Sequence, residues 1–330
     1  MNYYLGIDGG GSKTLAVVCD GDGRVIGCGA SGLGNHQIDA GAAEANIRTA
    51  ALQAMATANV KHEDIAYAVF GLAGADREAD FRILRPMIAS MGFAGCDIVC
   101  DTVIGLRAGT KQPDGVVVIC GSGTNSYGIN RRGESVQCGG FGYAYGDFGG
   151  GGDLAVEVFR TVIRAWEGRE QPTRLSESTL ELLGYGSVEQ MFHHYLDVGG
   201  RPPLALAKLL FEAAEHDEAA RRILRRQGME LGLAASAVIR RLGMENDAFD
   251  LVLIGSVLTR SDSRFVVPYI EEQARQAAPK CELKTLAMEP AAGAILLAME
   301  RTGRHVEESV YRHLNAELAV KEDRKQWTLD

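Results

Sequence analysis

The pattern of apolar and polar residues at the start of the chain predicts three short strands. The segments 3–7, 15–20 and 24–30 are mainly apolar, and glycine-rich stretches at 8–14 and 21–23 separate them. A glycine loop that leads into a second strand predicts an antiparallel meander. In a Rossmann unit, the glycine loop would lead into a helix instead.

The next hundred residues alternate between helical and strand-like patterns. Apolar residues at helical spacing predict three helices, over 40–59, 76–91 and 102–110. A continuous apolar run predicts a buried strand over 66–74, and a second strand is predicted over 96–101. Asp76 is the predicted N-cap of the second helix, and the second of these strands is predicted to end on Asp101.

The opening order of strand, small-residue loop, strand, turn and strand returns at 115–140. It is the order of residues 3–29, although the identity between the two stretches is low. A repeated unit of this kind indicates an internal duplication, so we predict two similar α/β halves that face each other across a cleft. The remainder is predicted mainly as helix, with strands over 249–257 and 281–286 and a closing helix from Pro290.

Charge and composition narrow the classes of function. The chain has 34 Lys and Arg against 43 Asp and Glu, a net charge of −9, which argues against nucleic acid or an anionic membrane as the main partner. No apolar run approaches the roughly 20 residues needed to span a bilayer, and no secretory signal is visible. We expect a cytoplasmic protein whose seven scattered cysteines are reduced.

The first glycine loop carries candidate chemistry. Asp8 is followed by three glycines, a serine, a lysine and a threonine. The stretch fits an ordinary hairpin turn, and it also fits a loop whose backbone N–H groups and hydroxyls bind phosphate. Asp8 would then hold Mg²⁺ through water, because hard cations take oxygen ligands. The loop is not a Walker A motif, since G-x-x-x-x-G-K-[ST] is absent.

A second loop of similar composition, residues 120–126 (CGSGTNS), occupies the matching position of the second copy. Two such loops at equivalent points of a duplicated unit predict that a polyphosphate is gripped from both sides. Asp101 lies between the two loops in sequence and has two interpretations. It is either the N-cap of the next helix or a general base that accepts the proton of an attacking hydroxyl.

A third glycine-rich stretch, residues 138–152 (CGGFGYAYGDFGGGG), is also of interest. Its glycines exclude a packed helix, and its aromatic residues are not typical of a linker, which favours a loop that faces a ligand. The pair Asn35-His36 fits either a local turn or hydrogen bonding to a polar ligand. The arginine cluster at 221–226 is predicted to be a solvated helix face.

These pieces, in this order, resemble the BadF/BadG/BcrA/BcrD-type ATPase family, and within it the N-acetylglucosamine kinase branch of the sugar kinase, actin and heat-shock chaperone superfamily. The resemblance covers about residues 3–300. It rests on a set of short motifs: GIDGGGSKT, GLGN, GLAG, CD at 100–101, CGSGTNS, CGGFGYAYGDFG, IGSV and EPAAGA. It implies an α/β fold of two duplicated ribonuclease H-like (actin-like ATPase) domains that face each other across an ATP cleft.

The resemblance also implies roles for individual residues. Asp101 matches the catalytic base, and Asp8 matches the Mg²⁺ ligand that acts through water. The positions that match ATP and phosphate binding are Gly9, Gly10, Gly11, Ser12, Lys13, Thr14, Gly121, Ser122, Gly123, Thr124, Gly255 and Ser256. The positions that match sugar binding are Asn35, His36, Gly140, Phe141, Gly142 and Asp147.

The implied first domain comprises residues 1–112 and about 290–330, and it carries the first phosphate loop and the base. The implied second domain, residues 113–289, carries the second phosphate loop, the sugar loop, the adenosine pocket and a helical insertion. The implied activity is transfer of the γ-phosphate of ATP, with Mg²⁺, to a hydroxyl of N-acetylglucosamine or a related amino sugar or hexose, with the 6-OH as the expected acceptor. A homodimer that binds neither nucleic acid nor membrane is expected.

Two positions depart from the family pattern. Phe148 stands where these kinases carry an acid in G-D-E-G-S, and Phe141 stands where tryptophan is common. Both lie in the implied sugar loop, so the exact sugar stays open. Two other functions also stay open: an ATPase that activates a radical dehydratase or reductase through an iron–sulfur cluster, and a non-catalytic ATP-binding regulator. Cys138 has no near cysteine in its loop, which counts against the cluster.

Overall fold

The computed structural model describes residues 2–259 and 261–320. The described chain divides into two compact units, one formed by 2–117 with 284–320 and the other by the described part of 118–283. The predicted closing stretch of the first domain, residues 321–330, lies outside the described residues. No helix within the described ranges is both long enough and apolar enough to cross a bilayer.

The first sheet has five strands in the order β3-β2-β1-β4-β5. They are β1 (Tyr3–Gly9), β2 (Thr14–Cys19), β3 (Val25–Ser31), β4 (Ile65–Leu72) and β5 (Cys96–Cys100). The first three form an antiparallel meander, in which Gly9 lies opposite Thr14. β4 pairs in parallel with β1 and with β5. The predicted meander and the two later strands are therefore confirmed; β4 is mostly buried, whereas β5 is buried only at Cys100.

The second sheet repeats this order as β10-β9-β6-β7-β8. Its strands are β6 (Gly115–Cys120), β7 (Thr124–Ile129), β8 (Ser135–Gly139), β9 (Asp250–Ile254) and β10 (Glu282–Thr285). In each sheet the first strand of a meander lies at the centre, and two later strands extend the sheet on its other side. The predicted internal duplication is confirmed by this shared topology.

Twelve helices accompany the sheets in the described residues. They are α1 (Ala40–Ala58), α2 (Glu78–Ala89), α3 (Asp101–Gly109), α4 (Gly151–Trp166), α5 (Leu175–Leu183), α6 (Val188–Val198), α7 (Leu206–Ala213), α8 (Glu218–Leu242), α9 (Ser256–Thr259), α10 (Val267–Ala277), α11 (Pro290–Arg301) and α12 (Glu308–Glu317). α4 to α8 are inserted between the meander of the second copy and its fourth strand, where the sequence predicts mostly helix.

Small residues let helices of the first unit pack closely on their neighbours. A Cβ on Gly29 of β3 would lie 2.2 Å from the carbonyl oxygen of Ala50 in α1, and a Cβ on Gly293 of α11 would lie 1.8 Å from that of Ile104 in α3. Neither position can hold a larger residue without moving a backbone. The Asp39 side chain caps α1 by accepting the Ala42 N–H at 2.9 Å.

The structure corrects two predicted boundaries near the site. α2 begins at Glu78 with Arg77 as its N-cap, and not at Asp76. The reason is that the Asp80 carboxylate reaches back to accept the Arg77 N–H at 3.0 Å, so the cap is supplied from inside the helix. Asp101 is the first residue of α3 and not the last residue of β5, whose end is Cys100.

Candidate functional site

The first candidate phosphate loop joins β1 and β2 as a tight hairpin. The Gly10 N–H donates to the Lys13 carbonyl at 2.8 Å and closes the turn. The Gly10 carbonyl accepts the Gly34 N–H at 2.8 Å. Thr14 is fully buried, and its hydroxyl donates to the Gly32 carbonyl at 2.9 Å. The segment that follows β3 therefore holds the base of the loop through these hydrogen bonds.

The tip of this loop is open to solvent. Ser12 and Lys13 are exposed, whereas Gly9 and Thr14 lie buried at the strand ends. Lys13 Nζ lies 3.4 Å from the Glu289 carboxylate just before α11, and 46% of the lysine side chain is exposed. Only 17% of the Glu289 side chain is exposed, so the lysine is the end of this ion pair that solvent reaches.

Two carboxyls lie beside the loop, on Asp8 near the end of β1 and on Asp101 at the start of α3. Burial, and then the negative charge of Asp101, raises the pKa of Asp8 to about 7, and Lys13 opposes part of this rise. Burial raises the pKa of Asp101 to about 6; the hydrogen bond from Cys100 opposes the rise, and the charge of Asp76 adds to it. Adjacent carboxyls with raised pKa values are typical of functional sites.

Cys100 connects Asp101 to a further acid. Its Sγ lies 3.2 Å from Oδ1 of Asp76 and 3.2 Å from Oδ1 of Asp101. Burial raises the pKa of the Cys100 thiol well above its usual value, so the thiol stays a neutral donor. Sequence reasoning assigned Asp76 to a helix cap and missed this contact. The available signal was that Asp76 and Asp101 each follow one of two neighbouring parallel strands, whose ends meet at one sheet edge.

The donor set near Asp8 fits a magnesium ion held mainly through water. Within 2–259 and 261–320, no three His, Cys, Asp or Glu side chains converge as a protein-only metal cage. Mg²⁺ in phosphoryl-transfer sites is held by one or two carboxylates, with water and substrate phosphates as the other ligands. Burial disfavours the ionised form of both carboxyls, and the charge of Asp101 adds to this at Asp8, so a bound cation would stabilise the ionised forms.

The second candidate phosphate loop joins β6 to β7. The Gly121 N–H donates to the Gly123 carbonyl at 2.9 Å. The carbonyls of Gly121 and Ser122 accept the N–H groups of Gly151 and Gly152 at 2.8 and 3.1 Å. These donors belong to the first turn of α4, which therefore supports the loop directly. The Ser122 side chain remains exposed.

A buried glutamine holds the segment that leads into α4. Gln227 Nε2, on α8, donates to the Gly149 carbonyl at 2.7 Å, and the Cys120 thiol lies 3.2 Å from the same oxygen. The Asp153 carboxylate accepts the Gly149 N–H at 3.1 Å. Sequence reasoning missed Gln227, because it lies in the middle of a long helix and belongs to no motif. Its contact joins residues that are 78 positions apart.

The predicted adenosine-pocket residues lie next to the second loop. Gly255, at the end of β9, has a φ of +96°, and a Cβ there would lie 2.3 Å from the carbonyl oxygen of Cys120. Glycine is required at this position by both the backbone conformation and the close approach. Ser256 follows as the first residue of α9 and is partly exposed. The structure thus brings Gly255 and Ser256 to the end of β6, where the second loop begins.

The glycine-rich stretch 138–152 is built around one carboxylate. Asp147 Oδ2 accepts the backbone N–H groups of Gly140, Phe141 and Gly142 at 3.0, 2.7 and 2.6 Å. The Phe141 side chain is 44% exposed. Asp147 also lines a cavity of about 260 Å³ together with residues of β7, β8 and α8. The stretch is an ordered loop that borders a cavity, as a ligand-facing loop requires.

Asn35 and His36 lie in the first unit, after β3. The Asn35 side chain accepts the Gln37 N–H at 2.8 Å, which is the local turn that the sequence allows. The His36 side chain is 2% exposed, and its Nε2 lies 3.4 Å from the Asp80 carboxylate. Hydrogen bonds from Arg77 hold the pKa of Asp80 well below its usual range, so this carboxylate is ionised. His36 therefore faces a buried anion.

Similarity to known proteins covers nearly the whole chain. Residues 5–298 match the BadF/BadG/BcrA/BcrD ATPase family. An N-acetylmuramic acid/N-acetylglucosamine kinase of Clostridium acetobutylicum is 29% identical, over 90% of this chain and 98% of that protein. An N-acetyl-D-glucosamine kinase of Dictyostelium discoideum is 28% identical, over 90% of this chain and 97% of that protein.

The fold is also that of a solved relative. The crystal structure of a candidate N-acetylglucosamine kinase from Chromobacterium violaceum superposes with a TM-score of 0.71 at 22% identity, and the match covers 90% of this chain and 98% of that one. The expected two-domain actin-like ATPase fold is therefore confirmed. The extent of the family match, together with the duplicated sheets and glycine loops, shows that this chain belongs to the BadF/BadG/BcrA/BcrD ATPase family.

Proposed function

We propose that this protein is an ATP-dependent sugar kinase that transfers the γ-phosphate to a hydroxyl, the 6-OH, of N-acetylglucosamine or a closely related amino sugar. The observation that carries the proposal is the Asp8–Asp101 pair, two carboxyls with raised pKa values beside a glycine loop. The amino-sugar kinase activity named for the relatives from Clostridium acetobutylicum and Dictyostelium discoideum supports the choice of substrate class.

Asp101 acts as the general base. In its ionised form it accepts the proton of the sugar hydroxyl, whose oxygen attacks the γ-phosphorus. A new P–O bond forms to the sugar, the bond to the β–γ bridging oxygen breaks, and ADP leaves. A pKa near 6 leaves the carboxylate mostly ionised at neutral pH and still able to take up a proton. Positioning and electrostatic stabilisation contribute most of the rate in phosphoryl transfer.

The two glycine loops hold the phosphates. In the first loop, the backbone N–H of Gly11, the Ser12 hydroxyl and Lys13 are the contacting groups, whereas Gly9, Gly10 and Thr14 form the support. In the second loop, Gly121, Ser122, Gly123 and Thr124 serve the same purpose, and Gly255 with Ser256 borders the adenosine. Asp8 holds Mg²⁺ through water, and the ion, when bound, neutralises charge on the phosphate oxygens.

The sugar is bound by the loop that Asp147 organises. The Asp147 carboxylate holds Gly140, Phe141 and Gly142 in place, and Phe141 offers an exposed aromatic face, which suits the apolar side of a pyranose ring. Asn35 and His36 of the first unit are the further sugar-binding positions of the proposal. We also propose the homodimer that the family resemblance implies, which light scattering on the purified protein tests.

Product analysis tests the proposed function. The protein is incubated with ATP, Mg²⁺ and N-acetylglucosamine, and the products are identified by ³¹P and ¹³C NMR. We expect ADP and a phosphate monoester at C6 in equal amounts. ADP that forms together with inorganic phosphate, and without a phosphorylated sugar, would exclude a kinase for this sugar.

A further inference from the structure

A second cavity, of about 380 Å³, lies in the second unit next to the candidate sugar loop. Four arginines line it: Arg160 and Arg164 of α4, and Arg222 and Arg226 of α8. Each pair is spaced four residues apart, so both guanidinium groups of a pair lie on one face of their helix. The cavity is therefore bordered by positive charge from two helices.

Acidic partners neutralise part of this charge and fix its position. Glu170 pairs with Arg164 at 3.1 Å and with Arg222 at 2.5 Å, so one carboxylate holds arginines of both helices. The pKa of Glu170 is lowered, chiefly by its hydrogen bond from Arg222, so the carboxylate is ionised. Glu157 lies 3.6 Å from Arg160. Four cations against two carboxylates leave the lining with a net charge of +2.

Arg226 is the arginine of the cavity that an anion could bind without displacing a carboxylate. Its guanidinium carbon lies 4.0 Å from the centre of the Phe148 ring. Within the part of the chain that the structure describes, it makes no ion pair. Stacking on a ring leaves the N–H edge of a guanidinium group available. An acidic residue at position 148 would pair with Arg226. Phe148 carries no charge, so it does not neutralise the arginine.

The sequence alone predicted a solvated helix face for residues 221–226, and the structure divides this cluster. Arg221 donates to Glu218 at 2.9 Å, and Arg225 contacts the hydroxyl of Tyr269 on α10 at 3.4 Å, so these two side chains are engaged away from the cavity. Arg222 and Arg226 turn to the cavity instead. Only this second pair faces the two arginines of α4.

We propose that the cavity bounded by Arg160, Arg164, Arg222 and Arg226 binds a small phosphate-bearing anion. Guanidinium groups offer paired N–H donors that match the spacing of phosphate oxygens. The volume lies in the range of small-molecule sites, about 300–1,000 Å³. Inorganic phosphate and a phosphorylated sugar share the required chemistry. Phe148 lines this cavity and also, together with Asp147, the cavity of about 260 Å³ beside the candidate sugar loop. The bound anion therefore lies next to the candidate sugar cavity.

Calorimetric titration of inorganic phosphate into the full chain tests this site. The protein is first saturated with the ATP analogue AMPPNP, so that the phosphate loops are occupied, and ionic strength is held constant. We expect one site in the unmodified protein. Its affinity should fall about tenfold in Arg226→Gln, about the loss of one charged contact. It should fall similarly in Phe148→Glu, because the new carboxylate pairs with Arg226.

Arg240→Gln is the matched control, since Arg240 is an exposed arginine of α8 outside the cavity. It should leave phosphate affinity unchanged. Circular dichroism checks the fold of each variant, and Arg160→Gln replaces Arg226→Gln if that variant does not fold. Absence of phosphate binding, an unchanged affinity in the cavity variant, or an equal loss in Arg240→Gln would overturn the proposal. The comparison between Arg226→Gln and Arg240→Gln requires neither kinase activity nor bound AMPPNP, because both arginines lie outside the phosphate loops, so failure of the proposed function leaves it intact.

A second titration distinguishes the two sources of the anion. N-Acetylglucosamine 6-phosphate is compared with inorganic phosphate in the unmodified protein and in Arg226→Gln. Tighter binding of the ester that is lost in Arg226→Gln identifies a phosphorylated sugar as the occupant. Equal affinities with equal losses identify free phosphate. The proposal would be overturned if the ester binds more tightly than inorganic phosphate and its affinity is the same in the unmodified protein and in Arg226→Gln.

Discussion

The carboxylate of Asp147 accepts a hydrogen bond of 2.7 Å from the backbone N–H of Phe141, at the centre of the candidate sugar loop. It also accepts the N–H groups on either side, so one carboxylate organises three consecutive amides. The resemblance to sugar kinases predicts sugar binding at Asp147. The geometry adds that Asp147 shapes the loop from which a sugar would be bound.

Replacement of Asp147 should therefore act on the sugar and not on the nucleotide. We expect Asp147→Ala to raise the KM for the sugar at least about tenfold, because hydrogen bonds to a charged group contribute about 1.5–3 kcal/mol each. The KM for ATP should change less than about twofold. Steady-state kinetics with each substrate varied measure the two effects, and Asp197→Ala on the exposed face of α6 is the control. Equal increases in both KM values would misplace Asp147.

Removal of the proposed base should separate chemistry from binding. We expect Asp101→Asn to lower kcat by about 10²–10⁴, the usual contribution of general base catalysis, while the Kd for ATP measured by calorimetry is retained. Asp97→Asn is the control, because Asp97 lies on β5 and pairs with Arg301 at the surface. A variant at Asp101 that turns over at the normal rate would exclude this residue as the base.

The Asp8 and Asp101 carboxyls should make stability depend on pH when Mg²⁺ is absent. Asp8 and Asp101 titrate near 7 and near 6 in the folded chain, against 3.8 as the reference value. Between about pH 4 and pH 7 the folded chain binds more protons than the unfolded chain, so the free energy of unfolding falls as pH rises. The slope is at most about 1.4 kcal/mol per pH unit for each group.

Denaturant unfolding in EDTA, over this pH range, measures the effect. Asp8→Asn should be more stable than the unmodified protein near neutral pH and should show a flatter pH dependence, because the amide cannot ionise. Mg²⁺ should stabilise the unmodified protein and have a smaller effect on the variant. If Asp8→Asn is less stable than the unmodified protein near neutral pH without Mg²⁺, this account of the carboxyl pair is contradicted.

A single methyl group added where the start of α4 contacts the second phosphate loop should disturb that loop. A Cβ on Gly150 would lie 2.5 Å from the Gly123 Cα, whereas a Cβ on Gly152 would have no neighbour closer than 3.7 Å. We therefore expect Gly150→Ala to displace the loop and to raise the KM for ATP about tenfold or more. Gly152→Ala should leave it nearly unchanged. Equal effects of the two substitutions would show that the loop is not held by this contact.

Local patterns in the sequence predict much of the fold, because they depend on neighbouring residues. The meander around Gly9–Thr14, and its repetition around 120–126, follow from apolar runs that alternate with glycine loops. The start of α2 was misplaced because it depends on the direction in which the Asp80 side chain turns. No local pattern reports that direction.

Much of the candidate site could not be predicted for a related reason. The Gln227–Gly149 contact joins distant parts of the chain, and so does the stacking of Arg226 on Phe148. The proximity of Asp76 to Asp101 depends on two parallel strands lying side by side. Such pairs become apparent only when the packing of helices and strands is known.

The central claim is that this chain phosphorylates an amino sugar with Asp101 as the base. Its most direct test is the rate of ADP release, measured by a coupled assay with ATP and Mg²⁺, with and without N-acetylglucosamine, for the unmodified protein and for Asp101→Asn. The account predicts ADP release that depends on the sugar and is lost in Asp101→Asn. ADP release that is the same with and without any sugar of an amino-sugar and hexose panel, or that persists in Asp101→Asn, would contradict it.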